Sequence, residues 1–320
     1  MALRDTLDLA RHCDQLGFTR YWLAEHHNLP SVASPAPEIM IGQIAAATSQ
    51  IRVGSGGVML PNHPPLMVAE RFRMLEGLFP GRIDLGLGRA PGTDGVTAIA
   101  LRRHQEQRGG DEFLERLQEL LLWDRGGFPE GHPFSRVVAM PSDVQLPPIF
   151  LLGSSGYSAR LSAQLGMGFA FAHHFATHDV HDAMLAYRQG FTPSDALTKP
   201  HAILAVSAIA AETEADAERL ASSQDLSWLR RERGEYGPLP STDEAAALPY
   251  TELDRQRIQR NRSRMFVGTP DRVRDRLLDF ARSTGADEIM ITSAIHDQTA
   301  RQRSYSLLAE AFSLPQALAA

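Results

Sequence analysis

Strand-like and helix-like segments alternate along nearly the whole of this chain, and that pattern limits the folds open to it more than any other feature. Helical spacing in "DTLDLARHCDQLG" gives way to the apolar "RYWLAE". In the same way "PEIMIGQIAAATS" leads into "IRVGSGGVML", and "PLMVAERFRMLEGLFPG" into "RIDLGLG". The punctuation agrees. Pro37 stands at a first helical position with Glu38 well placed against the helix dipole, and Pro80 and Gly81 stop the third helix. The alternation continues through "EFLERLQELLLW", "IFLLG", "YSARLSAQLG", "FAFAH", "HDAMLAYRQGF", "HAILAVSAIA", "DRVRDRLLDFARSTG", "DEIMITSAI" and "TARQRSYSLLAEAF".

Repeated strand–helix units build a parallel sheet, either open and doubly wound or closed as a (β/α)8 TIM barrel. No GxGxxG fingerprint follows an early strand, which removes the best support for a dinucleotide-binding sheet. The barrel is therefore expected. Seven strands are counted and the chain starts in a helix, so the barrel is expected to lack its first strand. Residues 1–320 read as a single domain with a helical and loop excursion at about 212–264 and a long Gly- and Pro-rich loop at 125–147.

Composition narrows the function classes. With 43% hydrophobic residues over 320 positions there is ample material for a core, and a formal charge of −6 gives no electrostatic reason to expect nucleic acid or an anionic membrane. The single cysteine, Cys13, excludes an internal disulfide and reads as a buried helix position. No apolar run approaches the roughly 18 residues of a spanning helix, and no signal-peptide core is seen, so a cytoplasmic location is expected.

In a barrel the chemistry sits at the C-terminal ends of the strands. Those ends carry Glu25, His26 and His27; Gly56 and Gly57; Gly88 and Arg89 before "APGTD"; "GSSGYS"; His173 and His174; and Ser293. Adjacent His26 and His27 point to opposite faces if the strand continues that far, so they do not clasp one ion together. In "GSSGYSARL" a strand ending at Gly153 runs through Ser154, Ser155, Gly156, Tyr157 and Ser158 into a helix, which gathers N–H groups, hydroxyls and a positive helix end, as phosphate binding requires. A serine-rich N-cap accounts for the same residues equally well. Arg89 is either a cation for that phosphate or half of a structural ion pair. Gly56 and Gly57 allow a flat group to lie on the main chain, or mark a bulge. His63, within "LPNHPP", reads as an incidental part of a rigid loop, and "RRERGEYG" as a solvated charge run.

The stretches "YWLAEHHNLP", "IRVGSGGVMLPNHPPLMVAERFRMLEGLFPGRIDLGLGRAPGTD" and "FVGTPDRVRDRLLDFARSTGADEIMI" closely resemble the bacterial luciferase-like, flavin-dependent monooxygenases. The resemblance spans nearly the whole chain. It implies a barrel that takes reduced FMN from a separate flavin reductase, reacts it with O2 to a C4a-hydroperoxyflavin and oxygenates a small organic substrate, as a homodimer. Residue by residue, His26 matches the catalytic histidine and Gly56-Gly57 the site of a non-proline cis peptide beneath the flavin. Arg89, Ser155 and Ser158 match phosphate-binding positions. His27 then packs or supports, and Glu25 receives no role. Three other readings stand beside this one: a deazaflavin (F420)-dependent oxidoreductase on the same fold, a flavin-binding protein without turnover, and a metal-dependent hydrolase using His26 or His27 with His173, His174, His296 and Asp297. The last is disfavoured because no HxH pair points two rings at one ion. No metal is expected.

Overall fold

A computed structural model describes residues 2–102 and 112–315. Helix α1 (Ala2–Gln15) is followed by β1 (Arg20–Leu23), α2 (Pro37–Ala47), β2 (Arg52–Ser55), β3 (Val58–Met59), α3 (Pro65–Leu78) and β4 (Ile83–Gly88). Next come α4 (Gly95–Arg102), α5 (Glu112–Asp124) and β5 (Ile149–Gly153). The remainder holds α6 (Gly156–Leu165), β6 (Gly168–Ala172), α7 (Val180–Gln189), β7 (Ala202–Ala210), α8 (Glu214–Glu232), α9 (Thr242–Ala247) and α10 (Glu252–Arg262). The chain ends with β8 (Met265–Gly268), α11 (Pro270–Thr284), β9 (Glu288–Thr292) and α12 (Gln298–Ala311). Contacts divide the chain into two compact units, one of residues 19–28 and 34–152, the other of 1–18, 29–33 and 153–320.

In the first unit, β1 pairs with β2, β2 and β3 with β4, and β4 with β5, all in parallel. Fully buried Ile41, Ile44, Val53, Leu60, Ile83, Leu85 and Leu87 form the apolar interior. Where the sequence reads "IRVGSGGVML" as one strand, the structure breaks it into β2 and β3 around a cis peptide between Gly56 and Gly57. The break brings backbones very close. A Cβ on Gly86 would lie 2.0 Å from the Ser55 carbonyl oxygen, so only glycine fits there. The Ser55 hydroxyl then takes over part of the ladder, donating to the Gly86 carbonyl at 2.8 Å and accepting from the Gly86 N–H at 3.0 Å.

The N-terminal ends of β1, β2 and β4 share a buried charge cluster. Asp84 is wholly buried and accepts from Arg20 at 2.7 Å, from Arg52 at 2.6 Å and from the Trp22 indole at 3.0 Å. The Arg20 guanidinium also lies 5.3 Å over the Phe150 ring. Two arginines on one carboxylate tie three strands together at their starts.

In the second unit, nine-residue β7 is the central strand. It pairs with β6, with β9 from Ile203 to Ser207, and with β8 from Ser207 to Ala210. Phe169, Phe171, Met184, Tyr187, Leu204 and Val206 form its core, and the buried Tyr187 hydroxyl donates to the Met167 carbonyl at 2.8 Å. Helix α1 docks on α12: the His12 ring meets the Ser306 hydroxyl at 2.8 Å, and Phe18 meets Tyr305 edge-on at 5.7 Å. Cys13 is buried as expected, and burial pushes its thiol up to about 12. Among the described residues no strand precedes α1.

Among the described residues the count of seven strands is corrected to nine. One extra comes from the break at Gly56-Gly57. The other, β8, is four residues long behind the very polar α10, too short for alternation to register. Residues 212–264 hold three helices, of which α10 is bound to α8 by ion pairs such as Arg262 on Asp225 at 2.7 Å.

Candidate functional site

The first unit carries the His26 loop. Strand β1 ends at Leu23, two residues earlier than "RYWLAE" implies, so Glu25 and His26 lie in a loop that side-chain bonds hold in place. His26 is half-buried. Its backbone N–H donates to Ser34 at 3.0 Å, and its ring Nδ1 meets the Gly92 carbonyl at 3.1 Å. A carbonyl only accepts, so Nδ1 carries the hydrogen and the neutral ring has its lone pair at Nε2. The same Gly92 oxygen accepts the His27 N–H at 3.2 Å, and the Thr93 hydroxyl donates to the His27 carbonyl at 2.8 Å. Gly92 has φ +67°, and a Cβ there would meet the Glu25 carbonyl oxygen at 2.7 Å, so the turn that receives both histidines requires glycine.

Glu25, which received no role from the sequence, and His63, which read as incidental, prove to be joined. Glu25 is wholly buried and accepts from the His27 Nε2 at 2.9 Å, the His63 Nε2 at 3.0 Å, the Asn62 amide at 3.2 Å and the Met59 N–H at 2.8 Å. Burial works against its ionisation, but the bond and charge of His63 and the bonds from His27 and Met59 together hold it below the usual carboxylate range. The reading of His63 as incidental is therefore corrected. Its partner lies 38 positions away, outside the reach of any local pattern.

Gly56 and Gly57 adopt the cis peptide implied by the resemblance. What a Cβ would meet there is the protein itself: the Trp22 side chain at 3.2 Å from Gly56 and the Gly86 carbonyl oxygen at 2.7 Å from Gly57. Arg89 is exposed at the end of β4.

The second unit carries "GSSGYS". Gly153 ends β5, and Ser155 takes the N-cap position of α6 with extended backbone. Its hydroxyl makes no capping bond to its own helix, so the N-cap role that accounted for this serine is not what the side chain does. A Cβ on Gly153 would collide with the Ser158 side chain at 2.9 Å, so Ser158 is buried beneath the strand end. Ser154, Gly156 and Tyr157 are half-buried around the same entrance. Helical side chains lean toward the N-terminus, and Arg160 does so: its guanidinium comes within 2.8 Å of where a Gly156 Cβ would stand. A cation over the positive end of a helix makes an all-donor cradle suited to an anion. Arg160 was missed, although "GYSAR" places an arginine four residues after the glycine.

His173 and His174 lie in a short turn after β6, beside His181 and Arg264. Burial, then the charges of His174, Arg264 and His181, lower the His173 pKa to about 4 from 6.5. Its ring packs at 4.7 Å on Phe280. Between those two values the unfolded chain takes a proton that the folded chain refuses, so stability falls as pH drops from about 6.5 to about 4. Thermal melts across that window are expected to show the loss, and His173→Gln to flatten it. Ser293 is buried and donates to the Ala208 carbonyl at 2.6 Å. Among the described residues no group of three or more His, Cys, Asp or Glu side chains is arranged to hold a metal ion. Nor, among them, is any helix long and apolar enough to cross a membrane.

The family described as luciferase-like monooxygenase matches residues 1–288. A curated luciferase-like monooxygenase of Escherichia coli strain K12 is 44% identical over 306 residues, 96% of this chain and 90% of the relative. The N-acetyl-S-alkylcysteine monooxygenase of Bacillus subtilis is 32% identical over 311 residues, 97% of this chain and 92% of the relative. Among solved structures, apo-MsnO8 matches with a TM-score of 0.89 at 41% identity over 99% of this chain and 94% of that one. Two more distant likenesses concern the fold alone. One is the oxygenating constituent of 3,6-diketocamphane monooxygenase from Pseudomonas putida in complex with FMN, at 19% identity and TM-score 0.68 over 96% of this chain and 91% of that one. The other is an F420-dependent secondary alcohol dehydrogenase, at 14% identity and TM-score 0.69 over 98% and 95%.

Proposed function

The chain belongs to the luciferase-like monooxygenase family and has its (β/α)8 TIM-barrel fold, and from that premise we propose that it uses reduced FMN and O2 to oxygenate a small organic substrate. The observation that carries the reading is the donor set at the start of α6: helix N–H groups, Ser154 and Ser155, and the guanidinium of Arg160. It offers an FMN phosphate donors and positive charge. Bound reduced FMN would supply the electrons that activate O2; the protein's share is binding, orientation and control of one proton. His26 is the catalytic residue of this reading. With Nδ1 committed to Gly92, it takes or gives a proton at Nε2. Gly56 and Gly57 are the proposed support for the flavin ring, and Arg89, Ser155, Gly156, Tyr157 and Ser158 complete the proposed cofactor residues.

Reduced flavin would come from a separate reductase, in keeping with the lack of a dinucleotide fingerprint in this chain. The working unit in this reading is a cytoplasmic homodimer. Exposed Met67, Met74 and Leu78 recur along α3, and exposed Ile39 lies on α2, which an Arg71–Glu38 pair at 2.7 Å joins to α3.

Anaerobic titration with reduced FMN, riboflavin and reduced F420 tests the cofactor. FMN is expected to bind more tightly than riboflavin, which lacks the phosphate. Arg160→Ala is expected to weaken FMN about tenfold, the lower end for a charge-assisted hydrogen bond, and to leave riboflavin unchanged. Equal affinity for FMN and riboflavin would remove the phosphate role, and binding of F420 alone would replace FMN.

A further inference from the structure

The Glu25 cluster goes beyond what a strand end needs for packing. Resting on the reading of His26 as the proton-handling group, we propose that Glu25 is a positioning residue, a buried carboxylate that fixes the His26 ring in a single tautomer by clamping three loops around it.

The loops are those at residues 24–28, 59–63 and 91–94. An ionised carboxylate only accepts, so each neighbour donates: the Nε2–H groups of His27 and His63, the Asn62 amide and the Met59 N–H. Four donors saturate a group that would otherwise be costly to bury. Within the loop the Glu25–His27 bond puts those two side chains together, and the ring of His26 between them turns instead to the Gly92 carbonyl. The clamp reaches His26 through Gly92. That residue's carbonyl receives both the His26 Nδ1–H and the His27 N–H, and its main chain passes close to the Glu25 carbonyl. The far side is braced as well. Arg116 donates to the His63 carbonyl at 2.7 Å, and Arg102 donates to the Asn62 side-chain oxygen at 3.1 Å. Asn62 also donates to the Pro91 carbonyl at 3.0 Å, one residue before Gly92. Moving Glu25 therefore moves the acceptor that sets which nitrogen of His26 holds the hydrogen.

Nitrogen-15 NMR of the histidine rings in the full chain without cofactor reads the tautomer directly. The outcome thus does not depend on whether FMN is the cofactor. Wild type is expected to show His26 as one tautomer with the hydrogen on Nδ1. Glu25→Gln replaces an acceptor oxygen with an N–H2 group that faces donors, and is expected to shift His26 toward a mixture of tautomers. With FMN loaded, kcat is expected to fall by at least about tenfold, part of the 10²–10⁴-fold that a well-placed proton carrier contributes. His26 signals in folded Glu25→Gln that coincide with those of wild type would overturn the proposal. Should that variant not fold, His63→Gln is read in the same way: a shifted His26 tautomer supports the clamp and an unshifted one overturns it. Loss of flavin turnover in wild type with the His26 tautomer as expected would instead count against the monooxygenase reading alone.

Discussion

Replacing His26 with alanine is expected to lower kcat of flavin-dependent oxygenation by about 10²–10⁴-fold while leaving FMN affinity little changed. The reason is the division of labour between its two nitrogens. Nδ1 is tied to the Gly92 carbonyl at 3.1 Å, which orients the ring, and Nε2 is the nitrogen that the proposed proton transfer uses. A glutamine at this position can replace hydrogen bonds but does not titrate, so His26→Gln separates the two contributions. If proton transfer is the role, glutamine is as slow as alanine; a glutamine variant near the wild-type rate would show that hydrogen bonding suffices. Single-turnover mixing of enzyme preloaded with reduced FMN and oxygenated buffer measures the step itself, apart from product release.

The second large effect concerns stability. Asp84→Ala removes the carboxylate shared by Arg20 and Arg52, whose side chains are only 13% and 24% exposed. Breaking a buried pair from one side leaves charge in a poorly solvated place, so a loss of about 3–5 kcal/mol is expected. Asp279 provides the contrast. It pairs with Arg282 on the surface of α11, with both side chains more than 70% exposed, and Asp279→Ala is expected to change stability by less than about 0.5 kcal/mol. Urea unfolding of the two variants beside wild type measures both. Similar losses would mean that the burial of Asp84 is not what makes its pairs matter.

The legibility of the site follows the range of the interactions that build it. Gly153 to Ser158 was recognisable because a strand end, hydroxyls and a helix start are neighbours along the chain. Arg160 was recognisable in principle on the same ground, one helical turn further on. His26 was singled out as a candidate by its place after a strand and by the resemblance. Glu25 was named but given no role and His63 read as incidental, since neither is unusual locally and what joins them is their meeting across 38 positions.

The alternation of apolar patterns determined the parallel strand–helix architecture by itself, because the two periodicities, 2.0 and 3.6 residues, are written residue by residue. It also determined the apolar strands and the helix stops at proline and glycine, such as Pro80 and Gly81. Tertiary structure alone decided where "IRVGSGGVML" breaks, since the break depends on how closely Gly86 lets another backbone approach. It decided that the four residues Met265–Gly268, behind the polar α10, would form β8, because β7 was long enough to receive them. And it decided that a buried carboxylate beside His26 would be satisfied rather than excluded: burying a charge is tolerable only where donors from distant segments converge on it, and that convergence exists only once the chain has folded.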